Sequence, residues 1–382
     1  CESPLAFGFE ADSWQQPSPP GAPYPFGETV TADDGASPPN PLSPSGCAKL
    51  QFAPTIGAQP TARAASSPTG LDFSLDVADE GILNPAEGAA AASTIRKALV
   101  TLPEGMTANP SLAEGLTTCS EADLARESAS SAPGAGCPAA SKIGSIEVET
   151  PLLEEAVKGA LYIATPYENP FGSLLALYVV LQDEKLGISV KQPLKVEPDP
   201  QTGQLVTVAE DLPQLPFSHF KLHFREGARS PLVTPPGCGA YQVEAKIYPW
   251  SGGAPVESNS SFEVISGSNG SPCPSGAPPF NPGFEAGSLN NAAGSYSPFY
   301  MRLTRNDGDQ DLTKFSAKLP PGMIGKLAGT SQCPAAAIAQ ARSRTGQNGG
   351  EEEKNNPSCP ASSQIGRVLA GAGVGSILTY VP

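Results

Sequence analysis

Short stretches in which apolar and polar residues alternate recur along the chain. Residues 71–77 (LDFSLDV), 97–102 (KALVTL), 143–148 (IGSIEV), 160–164 (ALYIA), 220–224 (FKLHF), 241–247 (YQVEAKI) and 299–303 (FYMRL) share this pattern. A period of two puts successive side chains on opposite faces of a strand, so each stretch is expected to bury one face, as in a sandwich. Residues 174–181 (LLALYVVL) form the longest apolar run. The run is too short to span a bilayer, which takes about 20 residues, and it reads as a buried strand. Between such stretches, Asp199-Pro200-Gln201-Thr202-Gly203 and Asn306-Asp307-Gly308 read as hairpin turns, because Gly and Asn tolerate a positive φ. Two short helices are expected. Ser120 can cap a turn with Asp123 three residues on, and residues 332–344 are Ala-rich with Pro334 near the first turn.

One stretch occurs twice. Residues 102–119 (LPEGMTANPSLAEGLTTC) and 137–145 (CPAASKIGS) are echoed by 319–333 (LPPGMIGKLAGTSQC) and 359–367 (CPASSQIGR). Other landmarks keep the same order: Cys1, Trp14 and Cys47 match Cys238, Trp250 and Cys273, and Pro68 matches Pro298. The offsets are 226 from Cys47 to Cys273, 230 from Pro68 to Pro298, 217 from Leu102 to Leu319 and 222 from Cys137 to Cys359. Near-constant spacing predicts a repeat array. Its parts are the tail of a preceding unit (1–47), one complete unit, and a truncated start of the next (274–382). A fainter echo, with Glu104-Gly105 answered by Glu226-Gly227, divides the complete unit into two β-sandwich domains, 48–165 and 166–273. Their size suits tandem immunoglobulin-like modules. The expected fold is therefore all-β with short helical excursions. Cys238, Trp250 and Cys273 depart from the immunoglobulin pattern: the cysteines are too close and no Tyr stands two before Cys273. Trp250 reads instead as an apolar plug beside a domain-edge disulfide.

The repeat register sets the cysteine pairing: Cys1–Cys47, Cys119–Cys137, Cys238–Cys273 and Cys333–Cys359. On a chain-entropy model, loops of these lengths each stabilise by about 3 to 4 kcal/mol. Free thiols in a cytosolic protein are the alternative. Zinc is weaker, since no couple has CxxC spacing. Disulfides place the protein outside the cytoplasm, at the cell surface or beyond. A lipid-anchored Cys1 is conceivable, but pairing with Cys47 is preferred. Composition agrees in outline. Pro 43 and Gly 40 disfavour long helices. A formal charge of −15 with 23 Lys+Arg argues against nucleic acid, which needs a basic stripe. No transmembrane segment is expected.

The runs SPTGLDFSLDV, ENPFGSLLALYVV, PDPQTGQL, LPQLPFSHFKLHF and SPFYMRLTRNDGDQDL, with the LPxGM and CPAASxIG stretches, resemble large, uncharacterised, secreted repeat proteins of actinobacterial type. The resemblance covers almost the whole chain. It implies a long exported protein whose partners are neighbouring units, and it carries no catalytic residues.

Chemistry-bearing candidates are few. His219 and His223 share a strand face with Glu226 close by, but alternation already explains them as polar-face residues. Asp307, Asp309 and Asp311 begin like a calcium loop, yet Leu312 and Lys318 stand where an EF-hand needs Gly and Glu. They are weak metal candidates, and no catalytic or cofactor-binding residue is assigned. The Gly-x-Ser-x-Gly elbow is absent, and the glycines at 371–375 lack the Lys of a phosphate loop. The expected function is a non-enzymatic scaffold, spacer or adhesive. One alternative is an extracellular polysaccharide-binding module stacking sugars on Trp14, Trp250, Tyr248 or Tyr296, and another is a secreted hydrolase. Possible partners outside the chain are polysaccharide or a surface protein.

Overall fold

The alternating stretches are strands, and most of them join one sheet. A computed structural model describes residues 4–19, 22–47, 50–78, 82, 90–113, 115–326, 328–345 and 349–381. β1 (Ala6–Ala11) and β2 (Phe26–Thr31) form an N-terminal hairpin. β3 (Thr55–Pro60), β4 (Pro68–Thr69), β5 (Leu71–Asp76), β6 (Ile95–Thr101) and β7 (Thr107–Ala108) lead to α1 (Glu121–Arg126). Then come β8 (Lys142–Glu149), β9 (Val157–Ile163), β10 (Leu175–Asp183), β11 (Ile188–Pro198) and β12 (Leu205–Ala209). β13 (His219–Phe224), β14 (Leu232–Val233), β15 (Gly239–Pro249) and β16 (Val256–Val264) follow. After them lie β17 (Gly283–Ser288), β18 (Phe299–Thr304), α2 (Ala335–Ser343), α3 (Gly349–Asn355), β19 (Ala370–Ala372) and β20 (Thr379–Val381).

The large sheet has 11 strands in the order β16-β15-β6-β12-β11-β10-β9-β8-β13-β5-β3. All its ladder pairings are antiparallel. Its two edge strands then meet. The Ile56 amide donates to Ser258 Oγ at 3.0 Å and the Ala58 amide to Ser260 Oγ at 2.9 Å. Beyond the strands, the Ile265 amide donates to Arg63 O and the Ala65 amide to Ser266 O, both at 2.9 Å, around a parallel bridge between Ala64 and Ser266. β3 and β16 therefore run parallel and close the sheet on itself, which occupies both edges.

The closed sheet encloses two apolar clusters that share packing residues. Ile56, Leu71, Leu75, Ala98, Val243, Ile247 and Phe262 fill one end, and Ile146, Leu161, Leu177, Val179 and Leu222 fill the other. Phe73, Phe217, Phe220 and Phe224 pack against both. The small sheet β4-β14-β7 lies beside it and contributes Leu232.

The all-β expectation holds, whereas the division at residue 165 does not separate two sheets. β6 lies between β12 and β15, and β13 lies between β5 and β8, so strands from 48–165 and 166–273 interleave. Both halves supply strands to the same sheet.

β10 explains the apolar run. Leu177 and Val179 face the core, while Ala176, Tyr178 and Val180 face outward and are buried with Ala160, Tyr162, Cys119 and Cys137. The excursion 119–137 thus covers the outer side of β9 and β10, and a strand buried on both faces needs no polar positions.

Candidate functional site

Three disulfides lie among the described residues: Cys119–Cys137, Cys238–Cys273 and Cys333–Cys359, with Cα atoms 4.9, 5.8 and 5.2 Å apart. Cys47 is also disulfide-bonded, and its predicted partner Cys1 lies outside the described residues.

Two of these loops share a construction. α1 begins with a capping box: Ser120 Oγ accepts from the Asp123 amide at 3.1 Å and Asp123 Oδ2 accepts from the Ser120 amide at 3.0 Å. The bond from the Ser120 amide is the leading cause that holds Asp123 below the usual carboxylate range. At the C-cap, Glu127 is 5% exposed and its carboxylate fastens the loop. Its Oε1 accepts from the Cys137 amide, and its Oε2 from Ser131 Oγ and Gln182 Nε2, all at 2.7 Å. In the second loop Glu353 takes the same part. Its Oε1 accepts from the Ser358 amide at 2.8 Å, and its Oε2 from Ser358 Oγ and Arg344 Nη1 at 2.7 Å. The Ser358 amide, first among several donors, holds Glu353 below the usual range.

Neither glutamate stands out in the sequence, because the spacing to the second cysteine differs between the loops. The run Glu351-Glu352-Glu353 reads as a solvated loop yet belongs to α3. Glutamate is a good helix former, and the Arg344–Glu353 pair joins α3 to the end of α2. Beneath the first loop, Tyr162 and Tyr178 have phenols pushed up chiefly by burial and secondarily by Glu127 and Glu121 respectively.

The outer face of β5, β13 and β8 carries both histidines in a charge ladder. His219 Nδ1 lies 2.6 Å from Asp76 Oδ1, Lys221 Nζ 2.6 Å from Glu149 Oε1, and His223 Nδ1 pairs with Asp72. Glu149 is held below its ordinary value and Lys221 above, each first by the bond they share. Glu226 is near His223, at 3.8 Å. Yet His219 and His223 sit four residues apart on one strand, about 13 Å, with Lys221 between them, so they cannot chelate one ion. The ladder is a cross-strand pairing device.

Asp307, Asp309 and Asp311 diverge. Asp307 accepts from the Gly375 amide at 2.8 Å, Asp309 from the Asn306 amide at 3.4 Å, and Asp311 lies 3.2 Å from Arg305. The Asn306-Asp307-Gly308 segment is a turn, with Gly308 at φ 82°, but no strand follows it directly. Among the described residues no group of three or more His, Cys, Asp or Glu side chains is placed to hold a metal ion.

The four candidate aromatics do not form a row. Trp14 is 95% exposed on the N-terminal hairpin, and Tyr296 lies between β17 and β18 with Lys326 Nζ 4.8 Å above its ring. Tyr248 and Trp250 are half-buried, and the Trp250 indole donates to Leu212 O at 2.9 Å. Trp250 follows the far end of the 11-residue β15 from Cys238, so it does not plug that disulfide. A pocket lined by Val77, Ile95, Leu215 and Phe217 holds ≈ 20 Å³, room for about one water.

Among the described residues no helix is long and apolar enough to cross a membrane. The chain is thus a disulfide-bonded, closed-sheet all-β protein with clasped helical excursions. Comparison with protein-family models, curated proteins and solved structures returns no match.

Proposed function

We propose that this chain is a non-enzymatic, extracellular or cell-surface repeat protein that serves as a scaffold, spacer or adhesive. One observation carries the reading. The hairpin β17–β18 reproduces β3–β5 register for register: Phe284 pairs with Leu303 as Ile56 pairs with Leu75, and Ala286 with Met301 as Ala58 with Phe73. Thr55 to Gly283 and Asp76 to Thr304 are both offsets of 228. The glutamate-clasped disulfide loops recur in the same order, which supports a repeated unit beyond the sequence echo. The disulfides support an oxidising location. The resemblance to secreted actinobacterial-type repeat proteins points the same way.

The mechanism is mechanical. The closed sheet itself has no free edge, and the disulfides limit how far the chain extends under tension. Single-molecule pulling tests this reading. The sheet from Thr55 to Val264 is expected to give way in one cooperative step under oxidising conditions. A reductant is expected to lengthen the released chain by ~65 Å for the loop of 18 residues and ~130 Å for that of 35, at about 3.6 Å per residue. Gradual extension at negligible force contradicts the spacer role. Specific binding on a glycan array would favour the polysaccharide reading instead, which retains Trp14 and Tyr296 as exposed rings.

A further inference from the structure

We propose that the loop between β13 and β14, residues 225–231, is a binding site for an oxyanion, a carboxylate or phosphate group gripped by Arg225 and Arg229. The site goes beyond the scaffold reading and does not depend on it. The loop leaves β13 where the Arg225 amide donates to Ile143 O at 2.7 Å, turns at Gly227 with φ 89°, and closes through the Ser230 amide on Gly227 O at 3.0 Å. Asn109 fastens the far end, its side chain donating to Ser230 O at 2.9 Å and its amide to Pro231 O at 2.8 Å. Across the turn, Arg225 Nη2 donates to Arg229 O at 3.1 Å, which sets the two guanidinium groups near enough for the charge of one to act on the other.

This loop is rich in donors and poor in acceptors. Among the described residues neither guanidinium pairs with a carboxylate, and the bond to Arg229 O is the one side-chain hydrogen bond the two arginines make. The backbone amides of 226–229 donate to no protein acceptor among the described residues. Ser230 Oγ, in the same loop, is buried without a hydrogen-bond partner. Glu226 stands between the two arginines in sequence, yet its carboxylate lies 3.8 Å from His223 Nε2, and Asp72 holds the other side of that ring. The local acids are thus engaged elsewhere.

Arg225 is half-buried, and its basicity is lowered first by that burial and second by the charge of Arg229. Both effects penalise a cation, and a bound anion relieves both. The planar fork of an arginine matches the paired oxygens of a carboxylate or phosphate, and successive amides around a left-handed glycine add dipoles of the same sign. Space is open beside them: a Cβ on Gly227 would meet no heavy atom within 4 Å, and Gly227 and Arg229 are exposed. The formal charge of −15 repels anions in general, so binding of one needs a local cationic site.

Isothermal titration calorimetry of the oxidised 382-residue chain at low salt tests the proposal, with inorganic phosphate and trigalacturonate as anionic probes and maltotriose as a neutral one. The expected result is saturable binding of at least one anion, weakened by added salt, and no binding of maltotriose. Phosphate alone assigns the site to phosphate groups, and trigalacturonate alone assigns it to uronate carboxylates. Arg229→Gln and Arg225→Gln are each expected to weaken binding about tenfold or more, because hydrogen bonds to a charged group carry such a site. Arg302→Gln, on β18, is expected to keep the wild-type affinity. Urea midpoints establish that the variants remain folded, and the exposed Arg229→Gln decides the matter if Arg225→Gln proves unstable. A wild type that binds neither anion at millimolar concentration overturns the proposal. So does affinity unchanged in Arg229→Gln, or lost equally in Arg302→Gln.

Discussion

Replacing Glu127 by Gln tests whether a buried carboxylate, and not the disulfide alone, holds the first excursion over β9 and β10. The carboxylate accepts three hydrogen bonds at 2.7 Å, from the Cys137 amide, Ser131 and Gln182. Glutamine keeps the shape but has one acceptor oxygen, so its NH2 must face at least one of these donors. Hydrogen bonds to a charged group are each worth about 1.5–3 kcal/mol, and an unpaired buried donor costs a similar amount. A net loss of about 2–3 kcal/mol follows, or roughly 30- to 150-fold in the opening equilibrium of the excursion. Both cysteines are fully buried, so reductant reaches the bond only through that opening. The assay follows reduction of each disulfide by peptide mapping at fixed dithiothreitol, together with hydrogen exchange at the Cys137 amide. Cys119–Cys137 is expected to be reduced tens of times faster in Glu127→Gln while Cys238–Cys273 keeps its wild-type rate. A change under threefold in both readouts refutes the clasp.

Three further outcomes are expected. Ser260→Val removes the acceptor for the Ala58 amide, a donor on a fully buried residue, and is expected to cost about 1–3 kcal/mol in urea unfolding. A neutral result would mean the seam does not contribute to closure. Gly159→Ala places a Cβ 2.2 Å from Val180 O, which forces β9 and β10 apart, and about 1–3 kcal/mol of destabilisation is expected on the same assay. Asp34 is held down to about 2, first by the Asn40 side-chain amide and then by the Ala36 and Asn40 backbone amides. A carboxyl depressed in the folded state stabilises above its unfolded pKa and loses that effect as pH falls through the folded one. The Asp34 loop is thus expected to stay ordered near pH 4 and loosen toward pH 2. Carboxyl NMR checks this, and a midpoint near an ordinary aspartate value of about 3.9 contradicts it.

Local structure was more legible in the sequence than neighbourhood was. The period-two stretches became β5, β6, β8, β9, β13, β15 and β18, and Ser120 with Asp123 formed the expected capping box. A period of two says which face is buried but not which strand lies alongside, so the insertion of β6 between β12 and β15 carries no local signal. β16 (VESNSSFEV) was missed for a different reason: its serines look like loop residues. Ser258 and Ser260 are polar because they meet backbone amides across the seam instead of another ladder. The clasp was hidden as well, since a buried glutamate among many exposed ones differs only in its partners.

The seam itself follows from arithmetic. Strands that pair antiparallel alternate in direction, so an odd number of them cannot close without one parallel contact, and 11 strands place it between β3 and β16. Over the strands that contact is made through the side chains of Ser258, Ser260 and Gln59, and a regular backbone ladder is absent there. Fewer backbone bonds therefore tie β3–β5 to β15–β16 than tie any other neighbours, and apolar burial must supply most of what holds them. Burial is non-directional and tolerates substitution of one similar surface for another. The seam is thus the joint of the closed sheet that depends most on side chains and least on backbone pairing.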